Sequence, residues 1–513
     1  MKGRGNELVT SAVIMDRRSK AAASDENTAL LGGEPGTASL VNNSRLFLAV
    51  FSVVLGNFSF GYSLVYASPV QTALQGSEDP RLQMDSTQYA WFGSIYSLGA
   101  AAGGLGTMML NDMIGRKMSI MTSALPSAVG YMLMGGASDR WMLLLGRFLT
   151  GVAGGMTSAS IPVYISEISL PAIRGAMGSC PQITAVCGAL VLYALGTILP
   201  WRWLAVAGGV PAVALVVLVA LMPSSPRRLL SLGREGEAEE ALRWLRGRDY
   251  DVQTELRAVQ NSIRSQRGVT LRELATPTYY RPLLISVGMR FLQQLSGITP
   301  TLVYMQYILS TSKVALDPGI ATVIVGVVRL FSVAIAASLM DRAGRKALLY
   351  TSSMLMILSS LSLTMYSHAN GCTPPPTPPN VTHLPQPGFD SLGVAPAGLS
   401  LVPLFLVIIF IFGYAMGWGP ITWLLMAEVL PLVARGVASG LCVAVSWLTA
   451  FAVTHLFMSQ ADRYGLYVPY LCFTVVCVFC LLFTAVRVPE TRGRTLEEIE
   501  NFFRTGRTFT ISN

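Results

Sequence analysis

The chain has 513 residues, of which 52% are hydrophobic and only 13% are charged, and its mean hydropathy is +0.51. About a quarter of the residues in an ordinary soluble protein are charged, so a soluble fold of this size lacks the charge to cover its surface. The composition argues against a soluble enzyme, a disordered protein and a disulfide-rich secreted scaffold, and leaves a chain mostly dissolved in lipid.

Residues 1–44 are polar and rich in Ala, Gly, Ser and Asn. Lys2 and Arg4 are followed by no apolar core, so the segment reads as a disordered tail rather than a signal peptide. From Leu46 onward, apolar stretches near the ~20 residues needed to cross a bilayer recur. They fall at 46–67, 90–110, 118–137, 141–165, 176–199, 203–222, 281–309, 320–340, 347–367, 399–426, 437–458 and 467–487. The expected fold is therefore an all-α multi-pass membrane protein of twelve transmembrane helices. Residues 45–222 and 281–487 form two six-helix halves, joined by a linker at 223–280 and followed by a tail at 488–513. Within the linker, Ala238, Ala241, Leu242 and Leu245 share one face of a predicted helix over Glu235–Arg248. The loop at 368–398 is Pro-rich, holds no Lys or Arg, and contains the glycosylation acceptor Asn380-Val381-Thr382.

Charge gives the topology. Of the 37 Lys and Arg, 29 lie in the tails and in the loops after even-numbered spans, and only 5 lie in the loops on the opposite face. The positive-inside rule then places both termini and the linker in the cytosol. Nucleic acid is not needed to explain the net charge of +9. Six of the seven cysteines lie in apolar runs, where even the Cys477/Cys480 spacing reads as packing, and the three histidines form no cluster. No metal or cofactor is expected.

Three motifs occur once in each half, in the same order. Asp112-Met-Ile-Gly-Arg116-Lys117 matches Asp341-Arg-Ala-Gly-Arg345-Lys346. Glu167 with Arg174-Gly175 matches Glu428 with Arg435-Gly436, and Pro223-Ser-Ser-Pro-Arg227 matches Pro489-Glu-Thr-Arg-Gly493. Repeated six-span halves are the plan of an alternating-access carrier with its site at the repeat interface. Arg116, Glu167, Arg174, Arg345, Glu428 and Arg435 are accordingly expected to form a charge latch that bridges the halves and breaks when the cytosolic side opens. Simple positive-inside anchoring is the bland alternative.

These motifs, with Gly146-Arg147-Phe148, Pro162-Val-Tyr-Ile-Ser-Glu167, Gln293-Gln294-Leu295-Ser296-Gly297 and the Pro-Glu-Thr-Arg-Gly-Arg run from Pro489, resemble the sugar-porter branch of the major facilitator superfamily. The likeness covers about residues 45–505. The long glycosylatable loop between spans 9 and 10 is similar to that of the class III facilitative hexose transporters. The resemblance implies a hexose substrate and a carrier rather than an enzyme.

A hexose needs amides that both donate and accept hydrogen bonds, and an aromatic surface for its C–H face. Gln182, Gln293, Gln294 and Trp423 supply those types, and the resemblance puts them at the family's sugar contacts. Adjacent residues on a helix lie about 100° apart, so Gln293 and Gln294 face one cavity only beside a distortion. Gly297 and Pro300 predict one there, and Gly419 and Pro420 predict another in span 10. The alternative use of the glutamines is as interhelical glue. Thr299, Arg329 and Ser446 stand where the family pattern has Asn, which weakens the case for glucose as preferred substrate. Arg329 lies mid-span, where an Arg costs at least ~2.5–3.5 kcal/mol on insertion scales, so it faces water, carbonyls or a ligand.

The proton-coupled members of the resembled family have Asp after Phe-Gly-Tyr in span 1; here Ser63 follows Phe60-Gly61-Tyr62, which favours a passive uniporter. The segment Glu26-Asn-Thr-Ala-Leu30-Leu31 fits an acidic dileucine sorting signal, implying endosomal sorting adaptors as partners and residence on endosomal or lysosomal membranes. A sugar sensor that carries nothing and a proton-coupled symporter remain as rival readings.

Overall fold

A computed structural model describes residues 43–76, 79–170, 173–247, 250–265, 276–370, 401–430, 435–491 and 503. The sorting segment at Glu26, Leu30 and Leu31 and the acceptor Asn380 lie outside the described residues, as do the side chains of Arg174 and Arg435. Among the described residues every regular element is a helix.

Twelve spans run in chain order. Span 1 is Ser44–Val65 continued by Ala67–Gln75; spans 2 to 6 are Ser86–Met113, Arg116–Gly135, Arg140–Ile168, Arg174–Gly196 and Trp201–Ala220. Span 7 is in three pieces, Pro277–Leu295, Ile298–Val303 and Met305–Thr311. Spans 8 and 9 are Pro318–Ala343 and Arg345–Ala369, span 10 is Val402–Met416 with Pro420–Val429, and spans 11 and 12 are Arg435–Tyr464 and Tyr467–Val486. Nine of these are long and apolar enough by themselves to cross a membrane. Spans 2, 3 and 7 fall short because Gly, Ser and Thr crowd the first two and a break divides the third.

Local chemistry sets the ends. Asp85 and Gln88 form a reciprocal capping box at the start of span 2. Gly115 and Gly344, the glycines of the repeated motif, have φ of +87° and +90° with extended ψ, a conformation nearly closed to residues with a Cβ. The repeat thus encodes a sharp turn that reverses the chain within two residues.

Spans 2 and 4 approach backbone to backbone. A Cβ at Gly99 or Gly103 would collide with the carbonyls of Phe148 or Val152, and one at Gly151 or Gly155 with those of Tyr96 or Ala100. Small residues four apart on both helices permit this contact in lipid, where dispersion rather than the hydrophobic effect drives association.

The linker holds three helices, Pro226–Ser231, Glu235–Arg246 and Val252–Ser265, around Leu229, Leu230, Ala238, Leu242, Val252 and Leu256. The helix expected to reach Arg248 stops at Arg246 because Gly247 takes φ +95°. Buried Arg246 is paired with Glu255 at 2.8 Å and donates to the Ile168 carbonyl at 2.9 Å, fixing the linker to the end of span 4.

The halves meet through spans 2 and 11, spans 5 and 8, and span 7 against span 1. At the end away from the linker, the Tyr304 hydroxyl lies beside Gly93 and donates toward the carbonyls of Tyr89 and Ala90 at 3.5 and 3.4 Å. There too the Gln306 amide donates to Ser68 Oγ at 3.1 Å, and Tyr193 Oη to the Leu302 carbonyl at 2.9 Å.

Candidate functional site

Both predicted helix breaks exist, and they face each other. In span 7, Gly297 takes the left-handed conformation at φ +86°, and Pro300 sits in the first turn of the next piece. A side chain at Gly297 would meet the Phe473 ring. In span 10, the helix stops at Met416 and restarts at Pro420, leaving Trp418 and Gly419 between the pieces.

Gln293 holds the two breaks together. Its Nε2 donates to the carbonyls of Trp418 at 2.7 Å and Gly419 at 3.3 Å and to Tyr414 Oη at 2.9 Å. Its Oε1 accepts from Arg290 Nη1. The Arg290 guanidinium lies 3.9 Å above the centroid of the Trp423 ring, a cation–π contact that occupies one face of that aromatic platform. In this conformation Gln293 is therefore the interhelical glue that was the alternative to sugar binding.

Gln294 points to a second cluster. Thr299 Oγ1 donates to its Oε1 at 2.6 Å, and its Nε2 donates to Ser446 Oγ at 3.0 Å. Two of the three positions that depart from the family pattern thus meet on one amide. The Gln294 amide still has hydrogen-bonding capacity, since it offers two donors and two lone pairs. Beside Ser446, the indole of Trp447 is almost wholly buried, with rings of Phe60 and Tyr96 from the other half packed edge-on at 5.8 and 6.4 Å. Its Nε1 has no partner among the described residues.

Gln182, Arg329 and Trp423 are each half-buried. Gln182 makes no hydrogen bond to another described residue. The end away from the linker is sealed, with Tyr66, Val70, Tyr304, Ile308 and Leu309 fully buried. Part of the surface of Gln182, Arg329 and Trp423 stays exposed while that end is closed.

Sequence reasoning gave Tyr414 and Trp447 no place in the site, and read Arg147 only as part of the Gly146-Arg147-Phe148 motif. Arg147 is fully buried, donates to the Ser63 and Phe92 carbonyls, and stacks over Tyr96 at 4.9 Å and Phe92 at 5.6 Å. The contact with Ser63 sets the residue after Phe-Gly-Tyr against this cation. A Tyr in an apolar span carries no spacing signal, which is why Tyr414 escaped notice.

In this conformation the described charge motifs pair within their own halves, and the side chains of Arg174 and Arg435 lie outside the described residues. Arg116 pairs with Glu167 at 3.1 Å, and Arg345 with Glu428 at 3.1 Å, each within its own half. The second oxygen of each Glu accepts from the third motif: Ser225 bonds Glu167, and Thr491 bonds Glu428 at 2.6 Å. These knots tie spans 3, 4 and 6, and spans 9, 10 and 12; neither bridges the halves. Each acid meets the base that the same turn of its own repeat delivers. No metal-ligating group of three or more side chains occurs among the described residues.

Comparison with known proteins follows the same lines. Residues 49–503 match the family model described as Sugar (and other) transporter. The chain is 55% identical over 481 residues to Solute carrier family 2, facilitated glucose transporter member 6 of Homo sapiens, covering 93% of this chain and 94% of that protein. It is 39% identical to member 8 of Bos taurus, covering 93% and 98%. Its fold matches the inward open conformation of the xylose transporter XylE from E. coli with a TM-score of 0.71, at 22% identity, covering 89% of this chain and 99% of that one.

Proposed function

The chain belongs to the sugar transporter family, and from that premise we propose that it carries a hexose across a membrane by facilitated uniport, through alternating access of its two halves. The observation that supports this reading best is the pair of broken helices, spans 7 and 10, joined by Gln293 beside a site closed at one end. Broken helices at a repeat interface leave backbone groups free to rearrange around a bound solute.

In the proposed cycle, hexose enters from the linker end and meets Gln182 of the first half with Gln294, Thr299 and Ser446 of the second. The Trp447 indole N–H supplies one further donor. Gly297, Pro300, Gly419 and Pro420 serve as hinges for the mobile pieces. The knots of Arg116–Glu167 and Arg345–Glu428 stiffen each half at the linker end, and Arg174 and Arg435 belong to the same charge set. Arg147 meets the Ser63 carbonyl in place of a carboxylate, which favours passive transport over proton coupling.

The orientation that accompanies this function has the linker and both termini in the cytosol and Asn380 glycosylated on the opposite face. Glu26, Leu30 and Leu31 direct the protein to endosomal or lysosomal membranes through sorting adaptors. The test is uptake of labelled glucose and related hexoses by purified protein in liposomes, with and without a pH gradient. Saturable equilibrating uptake supports the uniporter. Accumulation driven by the gradient replaces it with a symporter, and binding without flux replaces it with a sensor.

A further inference from the structure

Three arginines lie deep inside the spans, away from their ends, and they are not answered alike. Arg147 is enclosed by two backbone carbonyls and aromatic faces, with Nη2 without a hydrogen-bond partner among the described residues. Arg290 is buried, with one nitrogen on Gln293, its plane on Trp423, and Nε without a partner. Arg329 makes no hydrogen bond, ion pair or ring contact with any described residue.

Arg329 does not escape to lipid. On span 8 it shares a face with Val325, Ser332, Val333 and Ala336, all buried, whereas Ile324, Val327, Phe331 and Ile335 are exposed on the other. The next turn of that face, Val333 with Leu330, packs on Val186 and Ile183 of span 5 and Ala415 of span 10. Arg329 therefore sits where span 8 meets the other half and the break in span 10. Arg290 and Arg329 both lie within electrostatic reach of Tyr414, whose hydroxyl takes the Nε2 bond of Gln293. Two cations thus converge on one tyrosine, and the described residues bring no carboxylate to either.

Arg290 is buried and Arg329 half-buried deep in a span, where a charge without a counter-charge is costly unless water or a ligand pairs with it. A fixed carboxylate would have met that need cheaply, as Glu255 does for Arg246. Its absence at a site that opens to water points to an anion that arrives and leaves. Guanidinium recognises carboxylate and phosphate alike, with paired N–H donors. We propose that the substrate class of this site is a hexose bearing one acidic group, carboxylate or phosphate, with Arg329 as its anion contact and Arg290 as fixed supporting charge. The proposal rests on the carrier reading and names its cargo.

The test uses the full chain in liposomes, with exchange of labelled glucose as the reporter and D-glucose, D-glucuronate and D-glucose 6-phosphate as competitors. One acidic hexose should compete at a concentration about tenfold or more below that of glucose, as charge-assisted hydrogen bonds of ~1.5–3 kcal/mol would give. Its own uptake should rise when the interior is clamped positive with valinomycin. Which competitor wins distinguishes carboxylate from phosphate. In Arg329→Gln the ratio of the two competing concentrations should fall to about one, and Arg329→Lys should restore part of it. If neither acid outcompetes glucose while glucose exchange proceeds, the proposal fails and the carrier stands. If no hexose exchanges, neutral or acidic, both fail. An acid preference that survives in Arg329→Gln overturns the assignment to Arg329. The wild-type competition decides the substrate class even if the variants fold poorly.

Discussion

Gln293 is the residue on which the site turns. Its amide takes every strong donor direction available to it, on Tyr414 Oη and on the carbonyls that the break in span 10 exposes. Gln293→Leu would leave those acceptors and Arg290 without their partner. Unpaired buried polar groups cost ~1–3 kcal/mol each, so hexose uptake should fall at least about tenfold, with a lowered unfolding temperature in detergent. Uptake equal to wild type at equal protein in the membrane would contradict the assignment. Gln294 differs, because Thr299 and Ser446 leave part of its amide unbonded. The sequence displayed both glutamines and both breaks, since Gly and Pro mark backbone distortion by their chemistry. It hid which glutamine does which task. That choice depends on a tyrosine 121 positions away, and no local pattern encodes such a contact.

At the scale of elements, the two charge knots do the same work in each half. Each joins the start of one span to the ends of two others, through a Glu that serves an Arg and a hydroxyl together. Their groups are part-buried, so each knot exceeds the usual surface ion pair, which contributes ~0–1 kcal/mol. Glu428→Gln or Arg116→Ala should loosen one half at the linker end and shift the balance of inward and outward states several-fold. Accessibility of single cysteines placed at either end of the site would report the shift; unaltered labelling and unaltered uptake in both variants would refute it. The contact of spans 2 and 4 is less tolerant. Gly103→Val would set a branched side chain against the Val152 carbonyl, and overpacking of ~1–3 kcal/mol or more should abolish a monodisperse species in size-exclusion chromatography. Recovery of normal amounts of folded protein would contradict that packing. The repeated motifs were plain in the sequence, but their partners were not. Repetition locates a charge in its own half and is silent on whether it reaches across.

The whole molecule was legible wherever a property is summed over many residues. Scarcity of charge excluded a soluble fold, runs of apolar residues counted the spans, and twin motifs divided them into halves. Spans 2, 3 and 7 are too polar or broken to qualify alone, although their apolar stretches at 90–110, 118–137 and 281–309 were read as spans with the rest. Two of the three linker helices were missed: Pro226–Ser231 is too short to show a period, whereas Val252–Ser265 carries a clear amphipathic pattern that the sequence reading passed over. Cellular address belongs to this scale as well. Leu30→Ala with Leu31→Ala should move the protein to the cell surface, read by surface biotinylation; an unchanged intracellular distribution would refute the sorting signal. The sealed end has a pharmacological corollary. Tyr304 lies against Gly93 with no space between them, so a bulky sugar conjugate that cannot be carried through finds no entrance on that face. Applied to the linker side it would plug the site, and applied opposite it would wait for the alternate open state. Inhibition of this carrier should therefore be sided, and a drug aimed at it would have to reach the linker side.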